Sequence, residues 1–338
     1  MDEVLIRTEG RAGRLTLNRP KALNALSHPI CLETEKALQA WADDPAVDLI
    51  ILDAVGDRAF CAGGDIAQVT AAGKAGDYAM GRDFWRDEYR MNLMLSRYPK
   101  PIVSFMHGFV MGGGVGYGCH VRHRVVGEST QMAMPECGIG LIPDVGGTWL
   151  LSRAPGELGV YLALTAARMG PGDAIAAGFA DHFIPEAEWE AVKARLCETG
   201  DNTLPRHPAP EAPLADAAAQ IDTLFSGDIP TIIAALESDD SALAANALKA
   251  IRRNSPLSMA STLAMLRPAP ATLAEALAQE FRWTWRSMEH GDFIEGVRAQ
   301  IIDKDRNPVW KHASPDAVTP AEVAAMLAPL GENELGLS

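Results

Sequence analysis

No C-x-x-C pair occurs in this sequence. Its five cysteines, at 31, 61, 119, 137 and 197, are odd in number, which argues against a disulfide framework and fits reduced thiols. No run of 18 apolar residues is present, so no membrane span is expected. Positive charge is scarce: 30 Lys and Arg stand against 44 Asp and Glu, for a net charge of −14 and a pI near 5.0. That balance excludes a domain-wide basic footprint for nucleic acid and repels anionic membranes. The dinucleotide fingerprint G-x-G-x-x-G fails, because the sixth position is Tyr117 counted from Gly112 and Cys119 counted from Gly114. G-x-x-x-x-G-K-[ST], G-x-S-x-G and H-E-x-x-H are all missing, which weighs against a P-loop, a serine hydrolase and a zinc protease. His107, His120 and His123 lack ligand spacing, so no metal is expected. The opening MDEVLIRTEG is acidic and shows no signal or transit pattern, and a cytoplasmic protein is expected.

What is present centres on Lys100–Thr148, KPIVSFMHGFVMGGGVGYGCHVRHRVVGESTQMAMPECGIGLIPDVGGT. Ile102–Met106 is a short apolar, β-branched run bounded by Pro101 and His107-Gly108, the pattern of a buried strand. Three glycines follow, Gly112 to Gly114, where a small-residue helix can begin. Glycine lets backbone approach a ligand, and the first N–H groups of a helix have no intrahelical partner. Farther on, Glu136 follows Met134-Pro135 and Asp144 follows Pro143, two carboxylates in apolar, proline-marked surroundings. One region thus supplies backbone donors for a developing oxyanion and two acids for proton transfer. A second loop of this kind is RAFCAGGDI, where Gly63-Gly64 ends a strand and Asp65 is placed to cap the next helix.

With 338 residues and 48% hydrophobic content, the chain can bury a large core. Val4–Ile6 and Arg14–Leu17 read as paired strands around Glu9-Gly10. Ser27 is expected to cap a helix from His28 to about Trp41, with Pro29 in its first turn. The stretch 48–55 reads as a strand and 78–97 as a long amphipathic helix ended by Pro99. Strand–strand–helix units recur over residues 1–185, which argues for an α/β core. Four prolines mark 201–214 as a linker or extended loop. Beyond it the chain reads as helical: Ser255-Pro256 starts one helix, and Thr272 with Glu275 and Thr319 with Glu322 form capping boxes. Leu273, Leu277 and Phe281 recur every four residues as one buried face.

LNRPKALNAL, FCAGGDI, HGFVMGGGVG, MPECGIGLIPDVGGT and the late EGVRA, in this order, resemble the crotonase (enoyl-CoA hydratase/isomerase) superfamily. The resemblance covers nearly the whole chain. It implies a β-β-α spiral core over 1–200 and a helical C-terminal region over 201–338. It also implies an acyl-CoA thioester whose carbonyl oxygen sits between the backbone N–H groups of Gly64 and Gly113. Typical hydratases of the superfamily carry two glutamates, one of them three residues after the second of these glycines. Here that position is Gly116, while the other glutamate is kept as Glu136. Asp144, eight residues on, stands where hydratases usually have a small residue. With Glu88 in RDEYRMN and the extended tail DFIEGVRAQIIDKDRNPVW, the pattern looks like the 3-hydroxyisobutyryl-CoA hydrolase branch.

The resemblance then implies thioester hydrolysis with Glu136 as general base or as nucleophile, with Asp144 binding the substrate 3-hydroxyl or assisting proton transfer, and with Glu88 a second candidate for the same hydroxyl. For CoA it implies Lys21, Ala22 and Leu23, together with Ala62, Asp65 and Ile66. Lys304 and Arg306 are secondary basic candidates. No cofactor beyond the CoA of the substrate is expected, and the partner is a small molecule. Members often form trimers or pairs of trimers, so a homo-oligomer is possible.

Overall fold

The computed structural model describes residues 2–337. The chain is α/β and forms two compact units, each drawn from three stretches. The first comprises residues up to Asp65, Asp87–Ala133 and Arg168–Pro213; the second comprises Ile66–Arg86, Met134–Ala167 and the residues from Leu214 on.

The first unit holds the strands. β1 (Val4–Glu9) and β2 (Ala12–Leu17) form the antiparallel hairpin expected around Gly10. There follow β3 (Leu49–Ala54), β4 (Ala59–Cys61), β5 (Ile102–Met106), β6 (Phe109–Met111), β7 (His123–Val126), β8 (Gln131–Ala133) and β9 (His182–Phe183). They make two sheets, of order β1-β2-β3-β5-β7-β9 and β4-β6-β8. From β2 onward every pairing is parallel. The chain lays one strand in the larger sheet and the next in the smaller. It then returns to the larger one through helical connections such as Gly113–Cys119, between β6 and β7. This is the β-β-α spiral that the motifs imply.

Parallel strands covered on both faces read as unbroken apolar runs, and all five residues of β5 are buried. Leu49 and Ile51 of β3, Val103 and Phe105 of β5, and Val125 of β7 pack with Trp189, Val192 and Leu196 of the helix Trp189–Thr199. The Trp189 ring meets Phe105 edge-on, with centroids 5.3 Å apart. Asp53 interrupts the apolar run of β3 and is buried. Its carboxylate accepts from Arg14 (2.6 Å), Thr16 (2.6 Å) and Lys193 (3.2 Å). Burial pushes that carboxyl upward, but these partners outweigh it and hold it below the ordinary value. Ser27 accepts from the Ile30 N–H at the start of the helix His28–Ala42, as expected.

The second unit is helical. The helix Pro256–Leu266 is capped by Ser255, and Pro320–Leu327 carries the full Thr319–Glu322 capping box. The other expected box is half formed. Thr272 accepts from the Glu275 N–H, but the Glu275 carboxylate takes the Ala271 N–H at 2.7 Å instead of reaching back to Thr272. Leu273, Leu277 and Phe281 are buried along the helix Leu273–His290. No helix among the described residues is long and apolar enough to cross a membrane.

Candidate active site

In the first unit, backbone geometry sets the donors. Leu23 and Asn24 both have left-handed φ, of 51° and 54°. Asn24 tolerates this because its amide is fully used: Oδ1 accepts from Arg19 N–H, and Nδ2 donates to Val55 O and Ala59 O. The loop so fixed runs beside residues 62–65. Ala62 N–H donates to Leu23 O (3.0 Å), Leu26 N–H to Gly63 O (2.9 Å) and Asp65 N–H to Leu26 O (2.7 Å). This pairing assigns no acceptor to the Gly64 N–H.

The glycine triplet has a separate job at each position. Gly112 sits at φ 48° and ψ −115°, a backbone state open to glycine. A Cβ on Gly114 would lie 2.2 Å from Cys61 O, so the helix Gly113–Cys119 begins hard against β4. A Cβ on Gly113 would lie 2.9 Å from Glu88 Oε1 and 3.2 Å from Gly64 N. Gly113, Gly64 and Glu88 therefore meet at one point. Glu88 is 2% exposed, where its surroundings would have made it an ordinary surface glutamate by sequence alone. One turn beyond Glu88 along the helix Ala79–Arg97 lies Asn92, which sequence reading missed. It is fully buried, and neither amide atom has a hydrogen-bond partner among the described residues.

In the second unit, two short turns carry the acids. Glu136 is 4% exposed and opens a 3-10 turn, Glu136–Ile139. Distant residues pin that turn: Ser255 N–H donates to Cys137 O at 2.9 Å, and Cys137 Sγ lies 3.5 Å from Thr262 Oγ1. A Cβ on Gly140 would lie 2.4 Å from Asp292 C and O, and one on Gly296 would lie 2.1 Å from Ile139 O. The late EGVRA motif thus has a physical role: its glycine lets the helix Phe293–Val297 press flush against the Glu136 turn.

Asp144, 5% exposed, begins the second turn. Gly147 N–H donates to Asp144 O at 2.6 Å, and Val145 and Gly146 between them both take left-handed φ, 53° and 79°. For a β-branched residue that is a genuine outlier. Glu280, fully buried on the helix Leu273–His290, accepts from Gly146 N–H (2.7 Å), Thr148 N–H (3.0 Å) and Thr148 Oγ1 (2.5 Å). Sequence reading missed it, since a glutamate in a long helix ordinarily faces water.

The remaining sequence candidates fall as follows. Lys21 and Ala22 lie exposed in the short turn Pro20–Ala22, and Leu23 beside them is half-buried, joined to Ala62 as described. The Asp65 carboxylate accepts from the Arg19 guanidinium at 2.7 Å, a charge-assisted hydrogen bond. Ile66 is half-buried at the start of the helix Ile66–Lys74. Lys304 and Arg306 are exposed and both have φ 57°.

The family profile for enoyl-CoA hydratase/isomerase matches residues 12–327. The chain belongs to the enoyl-CoA hydratase/isomerase family. The Gallus gallus protein named 3-hydroxyisobutyryl-CoA hydrolase, mitochondrial, is 40% identical over 351 residues, covering 99% of this chain and 91% of the relative. A solved structure described as an enoyl-CoA hydratase, from Rhodobacter sphaeroides, is 58% identical with a TM-score of 0.98, covering 99% of this chain and 100% of that one. A carnitinyl-CoA dehydratase structure from Mycobacterium thermoresistibile is 43% identical with a TM-score of 0.93, covering 99% and 98%. Both structures share the crotonase spiral and the C-terminal helices. The expectation of a cytoplasmic protein does not stand: the Gallus gallus relative, like its Xenopus tropicalis and human counterparts, is by name mitochondrial. The inference failed because the lack of a signal or transit pattern in a given sequence names no compartment, and reduced thiols report only a reducing setting.

Proposed function

We propose that this chain hydrolyses 3-hydroxyisobutyryl-CoA to 3-hydroxyisobutyrate and free CoA, a step of valine breakdown, and that it accepts 3-hydroxypropionyl-CoA as a second substrate. The observation that carries the reading is the meeting of Gly113, Gly64 and Glu88 in a chain that has Gly116 where hydratases place a second catalytic glutamate. The names of the relatives at about 40% identity support it.

In this reading the N–H groups of Gly64 and Gly113 stabilise the thioester oxygen as it gains charge, an effect worth about 10²–10³ in rate per donor. Glu136 delivers the attack, either by taking a proton from water or by adding to the carbonyl itself to form a mixed anhydride that water then opens. The thiolate of CoA leaves and is protonated. Label from isotopic water recovered in Glu136 after a single turnover would establish an anhydride opened at the Glu136 carboxyl carbon, since general-base attack labels the product alone. Asp144 binds the substrate 3-hydroxyl or assists proton transfer, with Glu88 as a second candidate for the hydroxyl. The turn around Lys21 and the segment Ala62–Ile66 serve CoA. This chemistry asks for no metal or redox group.

The test is thiol release over a small panel. A site built to bond a hydroxyl rejects the analogue lacking it by about 10⁴, so isobutyryl-CoA should be cleaved far more slowly than 3-hydroxyisobutyryl-CoA. Equal rates would remove Asp144 and Glu88 from their roles. Glu136→Gln should lose about 10²–10⁴ in turnover. The description of the Rhodobacter sphaeroides structure favours a second reading, hydration of a double bond. Crotonyl-CoA hydration outpacing thiol release would establish it.

A further inference from the structure

The Asp144 turn is held in a backbone state that its own sequence does not favour. Val145 and Gly146 are left-handed in succession, and Val145 is branched at Cβ. Such conformations persist only where surrounding contacts over-determine them. Among the contacts that hold this turn are three from one side chain, Glu280. Its Oε2 takes the Gly146 N–H, and its Oε1 takes both the N–H and the hydroxyl of Thr148. These three donors lie two and four residues beyond Asp144, and the Gly147 N–H closes the turn back onto Asp144 O.

A buried carboxylate is costly to keep unless every lone pair it offers is used. Burial pushes the Glu280 carboxyl up to about 8, and the nearby Asp144 charge adds to that, while the Thr148 and Gly146 donors pull it down. Core packing alone would place an apolar residue at position 280, beside Leu277 and Phe281. A fully buried acid spending three bonds on a five-residue turn has a different purpose.

We infer that Glu280 is the positioning residue of Asp144: it fixes the 144–148 turn so that the Asp144 carboxylate is held in one orientation toward the substrate. The inference rests on the proposed role of Asp144 and adds what sets its geometry. Glutamine at 280 keeps one acceptor but turns an N–H₂ group toward N–H donors, so at least one bond is lost and the turn can relax. A displacement of about 1 Å in a catalytic group costs on the order of 10² in rate.

The test is a double-mutant cycle on turnover in the thiol-release assay, with Glu280→Gln, Asp144→Asn and their combination in the full chain. Glu280→Gln is expected to lower kcat on the order of 10²-fold, and the pair should be about as slow as Asp144→Asn alone, since residues acting as a unit do not add. KM should move far less than kcat. If Glu280→Gln lowers Tm but leaves kcat of the folded enzyme intact, or if the two losses multiply, the inference is wrong. If Asp144→Asn itself turns over normally, the role given to Asp144 fails and the inference falls with it. Slow Asp144→Asn beside normal Glu280→Gln sinks the inference alone. Should Glu280→Gln not fold, Thr148→Val removes only the hydroxyl bond, and a several-fold kcat loss that vanishes in the Asp144→Asn background is expected. A multiplicative loss, or none, overturns the proposal there too.

Discussion

The two units place their proposed reactive groups by different means. In the first, the groups are backbone N–H, and main-chain shape aims them: Gly112 bends the chain into Gly113, Gly114 lets it rest on Cys61, and Asn24 shapes the Leu23 loop by donating to Val55, 31 positions away. In the second, the groups are side-chain carboxylates on short turns, and the residues that aim them come from far along the chain. Thr262 meets Cys137 across 125 positions and Glu280 meets Gly146 across 134. A donor built from backbone depends on main-chain conformation, whereas these buried acids depend on partners that the fold brings from more than a hundred positions away, 125 for Cys137 and 134 for Gly146.

That contrast makes a graded set of expectations. Gly113→Ala should strike the first unit hardest in function and little in stability. Its Cβ would crowd the Glu88 carboxylate and the Gly64 N–H, displacing one donor, and kcat/KM should drop by about 10²–10³. Thermal melts should stay close to wild type; a large Tm loss would mean that Gly113 is there for packing. Gly296→Ala should show the opposite mixture. Its Cβ would meet backbone, Ile139 O at 2.1 Å, so the helix must back away. Overpacking of this sort costs about 1–3 kcal/mol, read by urea denaturation, and turnover should fall with it as the Glu136 turn shifts. Turnover of the folded variant equal to wild type would break the proposed link between that helix and Glu136. The mildest effect belongs to Lys21→Glu at the exposed turn: KM for the CoA thioester rises a few-fold, kcat holds, and the difference fades with added salt.

The same contrast explains what could be read in advance. Strand β5, the Ser27 cap and the capping box at Thr319 were legible because each depends on a few adjacent residues. The glycine-rich loops around Gly64 and Gly113 and the family motifs they belong to were legible for the same reason, and their role as oxyanion donors is the proposal. Glu136 and Asp144 were visible as acids in apolar settings, and burial agrees. The helix Trp189–Thr199 was not, since WEAVKARLCET shows its three core residues only once the sheet they cover is known. Glu280 and Asn92 carry no local signal at all: each looks like a solvent-facing polar residue in an amphipathic helix, and only the fold shows that water cannot reach them.

For protein engineers, the Asp144 turn is not a portable cassette. Grafting DVGGT into another scaffold without a glutamate descending from an adjacent helix would transfer the letters and lose the shape. If Asp144 reads the acyl hydroxyl as proposed, redesign of acyl preference would have to treat a pentapeptide and one remote acid as a single heritable part.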